Sequence, residues 1–374
     1  MNNFKKIGLT ALAGSLVAFS ATAGEMSVSG SFGATYSTTN GNVGSQNDTY
    51  DLQGANPDHT SGLGTDKDFS VSGSGELDNG WTFAGGTLLK DAMTLSSSSL
   101  SMTMGSLGTL MMGTGTGGNS TKYDVQTPTA YEEVDDGGAM SISANYVGNF
   151  LDNNAIQYTS PSFDLPMSNG MTATFDIEYA PQANDTATND GGASVSSSWD
   201  KGQSLGVTVE GNGVKVGIYG AERITDSITA AVGDSFNGVA YVNYTYGPVA
   251  VGYSMSYHDA GIDGDAEALI TAKAVGVAGG YFESDTISIA YNVNDNLSVS
   301  YAQADDTYDA QAAGAEGAAA GNIADVTMKF KSVQAAYSMG AMSIKAYRTE
   351  TSNVEYKTNG GKLTVNEIAV GLAF

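Results

Sequence analysis

The amino-acid sequence predicts an all-β fold, a closed 16-stranded antiparallel transmembrane β-barrel with short periplasmic turns and long external loops. The first observation is composition: the 374 residues include 49 Gly and 20 Tyr but only 6 Pro, which is typical of β proteins with many tight turns. The second is a period-two alternation of apolar and small polar side chains, as in EMSVSGSFGATY (residues 25–36) and MTATFDIEYA (residues 171–180). This pattern predicts strands with one apolar and one polar face.

The third observation is the length of the connections. A soluble β-sandwich shows the same alternation with its apolar face turned to a core, whereas a membrane barrel turns that face to lipid. Long polar stretches alternate with short joints at residues 77–80, 105–108, 210–213, 247–248, 294–296 and 338–341. Tight turns at one end and long loops at the other favour the outer-membrane barrel.

Each strand follows from these joints and from the alternation between them. The predicted spans are 25–37, 67–77, 81–89, 93–104, 109–113, 153–160, 171–180, 203–210, 214–220, 237–246, 249–257, 284–293, 297–304, 326–337, 342–348 and 363–374. Within residues 326–337 the apolar side chains change parity, which predicts a β-bulge near Lys331 and Ser332.

The N-terminus predicts a signal peptide over residues 1–23, followed by the barrel over residues 24–374. Lys5 and Lys6 precede an apolar stretch too short to span a membrane, and Ala21-Thr22-Ala23 is a small-residue cleavage site. We therefore expect export from the cytoplasm. Acids outnumber bases 40 to 15, which argues against nucleic acid as a partner because nucleic-acid binding needs clustered bases.

Several segments resemble one family over the whole mature chain. They are DNGWTFAGG (78–86), SLSMTMGSLGTLMMG (99–113), AIQYTSPSF (155–163), and the alternating C-terminal residues Ile368, Val370, Leu372 and Phe374. In their order and spacing these segments resemble the general porins of the Gram-negative outer membrane, most of all the alphaproteobacterial type.

The resemblance implies a homotrimer of barrels embedded in outer-membrane lipid. Each barrel would hold a water-filled pore for passive diffusion of small hydrophilic solutes and ions, narrowed by an inward-folded third loop at about 114–152. The C-terminal residues Ile368, Val370, Leu372 and Phe374 resemble the assembly signal that the barrel-assembly machinery reads.

The third loop contains an unusually dense run of carboxylates. YEEVDDGG, residues 131–138, carries Glu132, Glu133, Asp135 and Asp136, with Asp124 seven residues before it. The resemblance implies that these five acids line the pore constriction, and we expect water to keep them ionised. Rings of acidic side chains favour cations, so the sequence predicts a cation-preferring channel.

The facing pore wall offers few bases. Strand parity points Lys90, Arg223 and Lys345 inward, and the predicted bulge would add Lys331. The polar face of residues 171–180 places the acids Asp176 and Glu178 on the same wall. The family often carries an arginine cluster here, which this chain lacks.

Other roles for the carboxylates are weaker. The run lacks the spacing of an EF-hand loop, so we expect no dedicated metal site, although calcium bridging several loop carboxylates stays open. The two histidines, His59 and His258, cannot build a zinc cluster, and no Ser/His/Asp set appears, so we expect no enzyme. A sugar-selective porin and a secreted β-rich adhesin remain the alternatives.

Overall fold

The computed structural model describes residues 24–42, 60–91, 93–124, 126–136, 151–166, 168–183, 199–225, 233–259, 261, 281–309, 325–356 and 361–374, together with the backbone of Phe19–Ala21. Apart from that short segment, the predicted signal peptide lies outside the described residues, as does the middle of the third loop, residues 137–150. Within the described ranges, no helix has the length and apolar character needed to cross a membrane.

Sixteen strands form one closed antiparallel ring, as predicted. In chain order they are β1 (Gly24–Asn42), β2 (Thr60–Glu76), β3 (Thr82–Lys90), β4 (Thr94–Thr103), β5 (Thr109–Thr114), β6 (Ala155–Thr159, continued by Phe163–Asp164), β7 (Thr172–Ala180), β8 (Trp199–Gly211), β9 (Val214–Thr225), β10 (Ser235–Tyr246), β11 (Val249–Asp259), β12 (Tyr281–Asn292), β13 (Leu297–Asp309), β14 (Val326–Met339), β15 (Met342–Ser352) and β16 (Lys362–Ala373).

The ring closes where the two ends of the barrel chain meet. β16 pairs with β1 from Lys362↔Asn42 to Ala373↔Ser31. The last residue extends the seam, because Phe374 and Gly30 exchange two backbone hydrogen bonds of 3.0 Å. A further short strand, Phe19–Ala21, lies outside the ring and pairs with the start of β1.

The apolar face of each strand is the exposed one. On β12, Ile287 and Ile289 are 58% and 46% exposed, whereas the alternating inner residues Thr286 and Ser288 are 1% and 3% exposed. The residues of the predicted assembly signal follow the same rule, since Ile368, Val370, Leu372 and Phe374 all lie on the outer face. A soluble sandwich would bury these side chains, so the arrangement is that of a lipid-facing barrel.

The predicted bulge near Lys331 is absent. β14 keeps an uninterrupted register with both neighbours, so its alternation never changes faces. Met328 and Phe330 are fully buried on the inner side, and their apolar character had suggested an outward face. They pack there against the third loop instead, which places Lys331 outside the barrel.

Candidate functional site

The third loop begins with a buried polar anchor on the inner wall. Lys122 forms an ion pair with Asp176 of β7, and the Tyr123 hydroxyl donates to the other oxygen of the same carboxylate at 2.7 Å. The Thr159 hydroxyl donates to Asp176 at 2.7 Å. Asp176 is 3% exposed, so its role is to hold the loop, and it does not line an open lumen.

Glu178 is a second anchor two residues further along β7. The backbone N–H of Asn119 and the hydroxyl of Ser204 each donate to its Oε2 at 3.2 Å. Glu178 is 1% exposed. The two wall acids predicted from strand parity therefore lie on the inner face, but the loop covers both.

Glycines in the wall make room for the loop. A Cβ on Gly206 of β8 would overlap the ring of Tyr123, and one on Gly252 of β11 would overlap Pro128. Neither glycine has a positive φ, so it is the close approach of the loop, and not the backbone conformation, that needs a residue without a side chain. The wall is thus shaped to receive this segment.

From there the loop crosses to β10 and β9. Its backbone carbonyl at Gln126 accepts a hydrogen bond from Asn243 Nδ2 at 2.6 Å, and the Gln126 side chain accepts one from Lys215 Nζ at 2.7 Å. The N–H of Ala130 then donates to Ser300 of β13 at 2.9 Å. The loop therefore lies against the inner wall along its described length.

Gln334 of β14 fixes the start of the carboxylate run. Its Oε1 accepts from the backbone N–H groups of Tyr131 and Glu132 at 2.9 and 3.1 Å. Its Nε2 donates back to the carbonyl of Glu132 at 2.8 Å and of Glu133 at 3.3 Å. One amide side chain thus satisfies four backbone groups, which holds this segment in a single position.

An apolar contact secures the same segment. Val134 is 1% exposed and packs into a cluster that includes Phe282, Met328 and Phe330. The run EEVDD is therefore not a solvated loop tip. Its central valine packs against the inner side of the wall, and this contact holds the carboxylates on either side of it close to the wall.

We call Glu132, Glu133, Asp135 and Asp136 the acidic segment. Burial raises the pKa of Glu133 to about 9, with further contributions from the negative charges of Asp135 and Asp124. Burial also raises the pKa of Glu132 to about 7, helped by Asp136 and opposed by Lys345. The expectation that water keeps these groups ionised is wrong for Glu133 near neutral pH, because its surroundings penalise the charged form.

Among the described residues, Lys345 is the predicted wall base that lies beside the acidic segment. Its Nζ lies 4.9 Å from the centre of the Tyr131 ring, and the Tyr131 hydroxyl donates to Glu367 of β16 at 3.0 Å. Glu367 was not predicted. Its inward parity on β16 was a usable signal, but only the loop contact gives it a role.

The remaining predicted bases lie elsewhere. Lys90 pairs in register with Asp68 at the loop end of β3. Arg223 lies on the inner face of β9, where its guanidinium stacks on Trp199 at 3.5 Å and its Nε donates to Ser235 at 3.0 Å. Lys331 is exposed on the outer face, so its assignment to the pore wall is corrected.

Lys122, Tyr123, Lys215 and Gln334 are functional candidates that sequence reasoning missed. Lys215 and Gln334 have inward parity, which was a usable signal, whereas Lys122 and Tyr123 lie in the loop where no periodicity applies. Among the described residues, no group of three or more His, Cys, Asp or Glu is arranged to hold a metal ion. Calcium bridging of the loop carboxylates stays a prediction.

The chain is similar to solved porin structures. OmpF of Salmonella typhi, solved with daunomycin, aligns with a TM-score of 0.61 and 12% identity over 96% of this chain and 100% of that one. An anion-selective porin from Comamonas acidovorans aligns with a TM-score of 0.60 and 16% identity over 94% and 100%. OmpT, an outer membrane protein of Vibrio cholerae, aligns with a TM-score of 0.56 and 12% identity over 96% and 100%. No family model and no curated protein matches by sequence. The likeness therefore establishes the porin barrel fold.

Proposed function

We propose that this porin barrel is a passive channel of the outer membrane for small hydrophilic solutes and ions. One observation carries the proposal: the described part of the third loop is fixed inside the barrel against the wall from β7 to β16, while described inner residues of β2 are exposed. Inner residues under the loop, such as Thr286, are 1% exposed, whereas the inner residues Ser72 and Ser74 of β2 are exposed. A polar, solvent-accessible wall beside an anchored loop is the arrangement of a narrowed aqueous pore.

Vesicle swelling tests this function directly. Liposomes that contain the folded protein are diluted into iso-osmotic solutions of neutral sugars of increasing size. We expect rapid swelling with the smallest sugars and a steep decline with size, since the loop narrows the lumen. Swelling no faster than in protein-free liposomes would refute the proposal.

The channel prefers cations in this proposal. Five acids, Asp124 and the acidic segment, lie on the loop, and Glu132 and Glu133 add their charges above their raised pKa values of about 7 and 9, while Lys345 is the predicted wall base beside them. A pore lined by an excess of carboxylates concentrates cations. Zero-current potentials across a KCl gradient give the permeability ratio; anion selectivity would contradict the proposal. The likeness to an anion-selective porin carries no weight here, because selectivity depends on lining residues and not on the shared fold.

The remaining biology is proposed on the same basis. The proposal includes export by the predicted signal peptide, insertion by the barrel-assembly machinery and assembly into a homotrimer. It is supported by the resemblance of the C-terminal residues to the assembly signal and by the exposed position of Phe374. The protein is proposed to be no enzyme. Chemical cross-linking of the folded protein in detergent tests the trimer; a single monomer band would contradict it.

A sugar-selective porin is the alternative. It would need a track of aromatic side chains exposed along the pore. Phe282 of the inner wall and Tyr356, in the segment after β15, are 2% and 8% exposed and belong to one cluster with Val134 of the third loop, so they do not supply such a track.

A further inference from the structure

Four bases gather on the outer face of the last three strands. Lys329 and Lys331 of β14, Arg348 of β15 and Lys362 of β16 are all exposed, and we call them the outer basic patch. In the strand registers Lys331 lies opposite Glu350, and Ser352 lies opposite both Lys329 and Lys362. Lys331 and Arg348 are therefore diagonal neighbours across adjacent strands, and Lys329 and Lys362 lie on either side of Ser352 of β15.

The concentration of positive charge is unusual for this chain. It has only 15 Lys and Arg against 40 Asp and Glu, yet four bases occupy this one area. Two acids lie among them: Asp305 pairs with Lys329 at 2.6 Å, and Glu350 pairs with Arg348 at 2.7 Å. The bases still outnumber the acids by two to one, so the patch is positive on an acidic protein.

The outer faces of β11 and β12 show the opposite composition near the same end of the barrel. They carry Asp259, Glu283 and Asp285, interleaved with tyrosines such as Tyr253. Bases are thus in excess on β14 to β16 and acids on β11 and β12, with Asp305 of β13 between the two areas. A general need for solubility would not separate the signs in this way.

The patch begins where the apolar band ends. From the short turn, the outer residues of β14 are Met339, Tyr337, Ala335 and Val333, and the next two are Lys331 and Lys329. From Met339 to Lys331 the strand runs roughly 27 Å at ~3.4 Å per residue, which at a tilt of about 40° is roughly 21 Å of height, close to the ~25 Å lipid-facing band of such barrels. β15 changes from Ile344 and Ala346 to Arg348, which is in register with Val333, one outer position before Lys331.

We propose that the outer basic patch binds the phosphate groups of lipid headgroups in the leaflet on the long-loop side of the membrane. Side chains at this level meet the headgroup region, and lysine and arginine there attract anionic lipids. Arg348 donates from Nε and Nη2 to Glu350 and so offsets that carboxylate, which leaves the ammonium groups of Lys331 and Lys362, the other bases beside Glu350, to contact a phosphate. This lipid site is separate from the pore and does not depend on its selectivity.

Spin-labelled lipids test the site on the full-length folded protein. The barrel is reconstituted into phosphatidylcholine vesicles, and electron spin resonance measures the association of labelled phosphatidic acid relative to labelled phosphatidylcholine. We expect a clear preference for phosphatidic acid that falls on the order of five-fold for each base removed from the patch. The variants are Lys331→Gln, Lys329→Gln/Lys331→Gln, and Lys331→Arg, which should retain the preference.

Lys67→Gln is the matched control, because Lys67 is an exposed outer-face lysine on β2, away from the patch. It should leave the lipid preference unchanged. Equal association of the two lipids with the native protein would overturn the proposal. An unchanged preference in Lys329→Gln/Lys331→Gln would also overturn it. A change in oligomeric state without a change in lipid preference would assign the patch to subunit contact instead. Loss of the preference on adding millimolar inorganic phosphate would show recognition of the phosphate group without the membrane context, against a lipid site.

Discussion

At the scale of single residues, the carboxylates of the acidic segment differ in their environments although they adjoin in sequence. Gln334 and Val134 hold the segment against the wall, so Glu133 loses water while four other acids lie around it. Its pKa rises to about 9, and that of Glu132 to about 7, where Lys345 offsets part of the effect. The charge of the acidic segment therefore changes over the ordinary range of pH.

Selectivity should consequently depend on pH. Carboxyls with raised pKa values are neutral below those values and charged above them, so we expect the cation preference to grow as pH rises through about 7 and again through about 9. Zero-current potentials between pH 5 and 10 measure it. Glu133→Gln should remove the upper step, whereas the control Glu350→Gln, on the outer face, should keep both. A pH-independent ratio in the native protein would contradict the assigned environments.

The same residues should affect stability with a definite sign. Above a pH of about 4.5 the unfolded chain ionises at both glutamates, while the folded barrel keeps them protonated up to about 7 and 9. The unfolded state then binds fewer protons, so the free energy of unfolding falls as pH rises through this window. In urea unfolding at pH 8, Glu133→Gln should be more stable than the native protein by at least about 1 kcal/mol. Equal stability at pH 8 would argue against burial of Glu133.

At the scale of elements, the third loop and the inner wall fit each other. Gly206 and Gly252 leave room where Tyr123 and Pro128 approach, and Asp176 and Glu178 of β7 hold the loop by buried hydrogen bonds. The position of the third loop in the lumen is thus fixed by several separate contacts. Removing one of these contacts should change the conductance of the pore before it unfolds the barrel.

A side chain added at Gly206 should displace the third loop. In Gly206→Ala the new methyl group overlaps the Tyr123 ring, and overpacking of this kind costs about 1–3 kcal/mol. We expect an altered and noisier single-channel conductance. Gly62→Ala is the control, since nothing lies within 4 Å of its added Cβ. Gly206→Ala with native conductance and stability would mean that Tyr123 does not occupy this position.

Removing the lysine of the anchor should have a related effect. Lys122→Met leaves Asp176, which is 3% exposed, with its hydrogen bonds from Tyr123 and Thr159 but without its ion pair, and losing a charged partner of a buried acceptor costs about 1–3 kcal/mol. We expect lower stability in urea and larger conductance fluctuations. Lys122→Met/Asp176→Asn should recover most of the stability because it removes the buried charge as well. Additive losses in the double variant would contradict the pairing.

At the scale of the whole molecule, the sequence predicts the barrel well because strand alternation and turn spacing are local signals. All sixteen strands appear, and the tight turns such as 247–248 and 338–341 lie where they were predicted. The strands extend further toward the long loops than predicted, as in β2, which begins at Thr60 and not at 67. Residues 60–66 carry little apolar alternation, and their strand pairing comes from the neighbouring β1.

The site was harder to predict because its geometry depends on contacts between distant segments. Met328 and Phe330 are apolar although they lie on the inner face, because Val134 of the third loop covers them. The prediction therefore assigned the wrong face to part of β14 and placed Lys331 inside the barrel. Asp176 and Glu178 have the expected inward parity, yet the loop buries them. Neither effect has a local sequence signature.

Single-channel recording in a planar bilayer tests the central claim most directly. The purified, folded protein should insert in discrete steps, each a stable ohmic conductance that scales with salt concentration, as expected for a water-filled pore with one side of its wall open. Folded protein that inserts but carries no current, or a current that saturates at low salt, would contradict a passive aqueous channel.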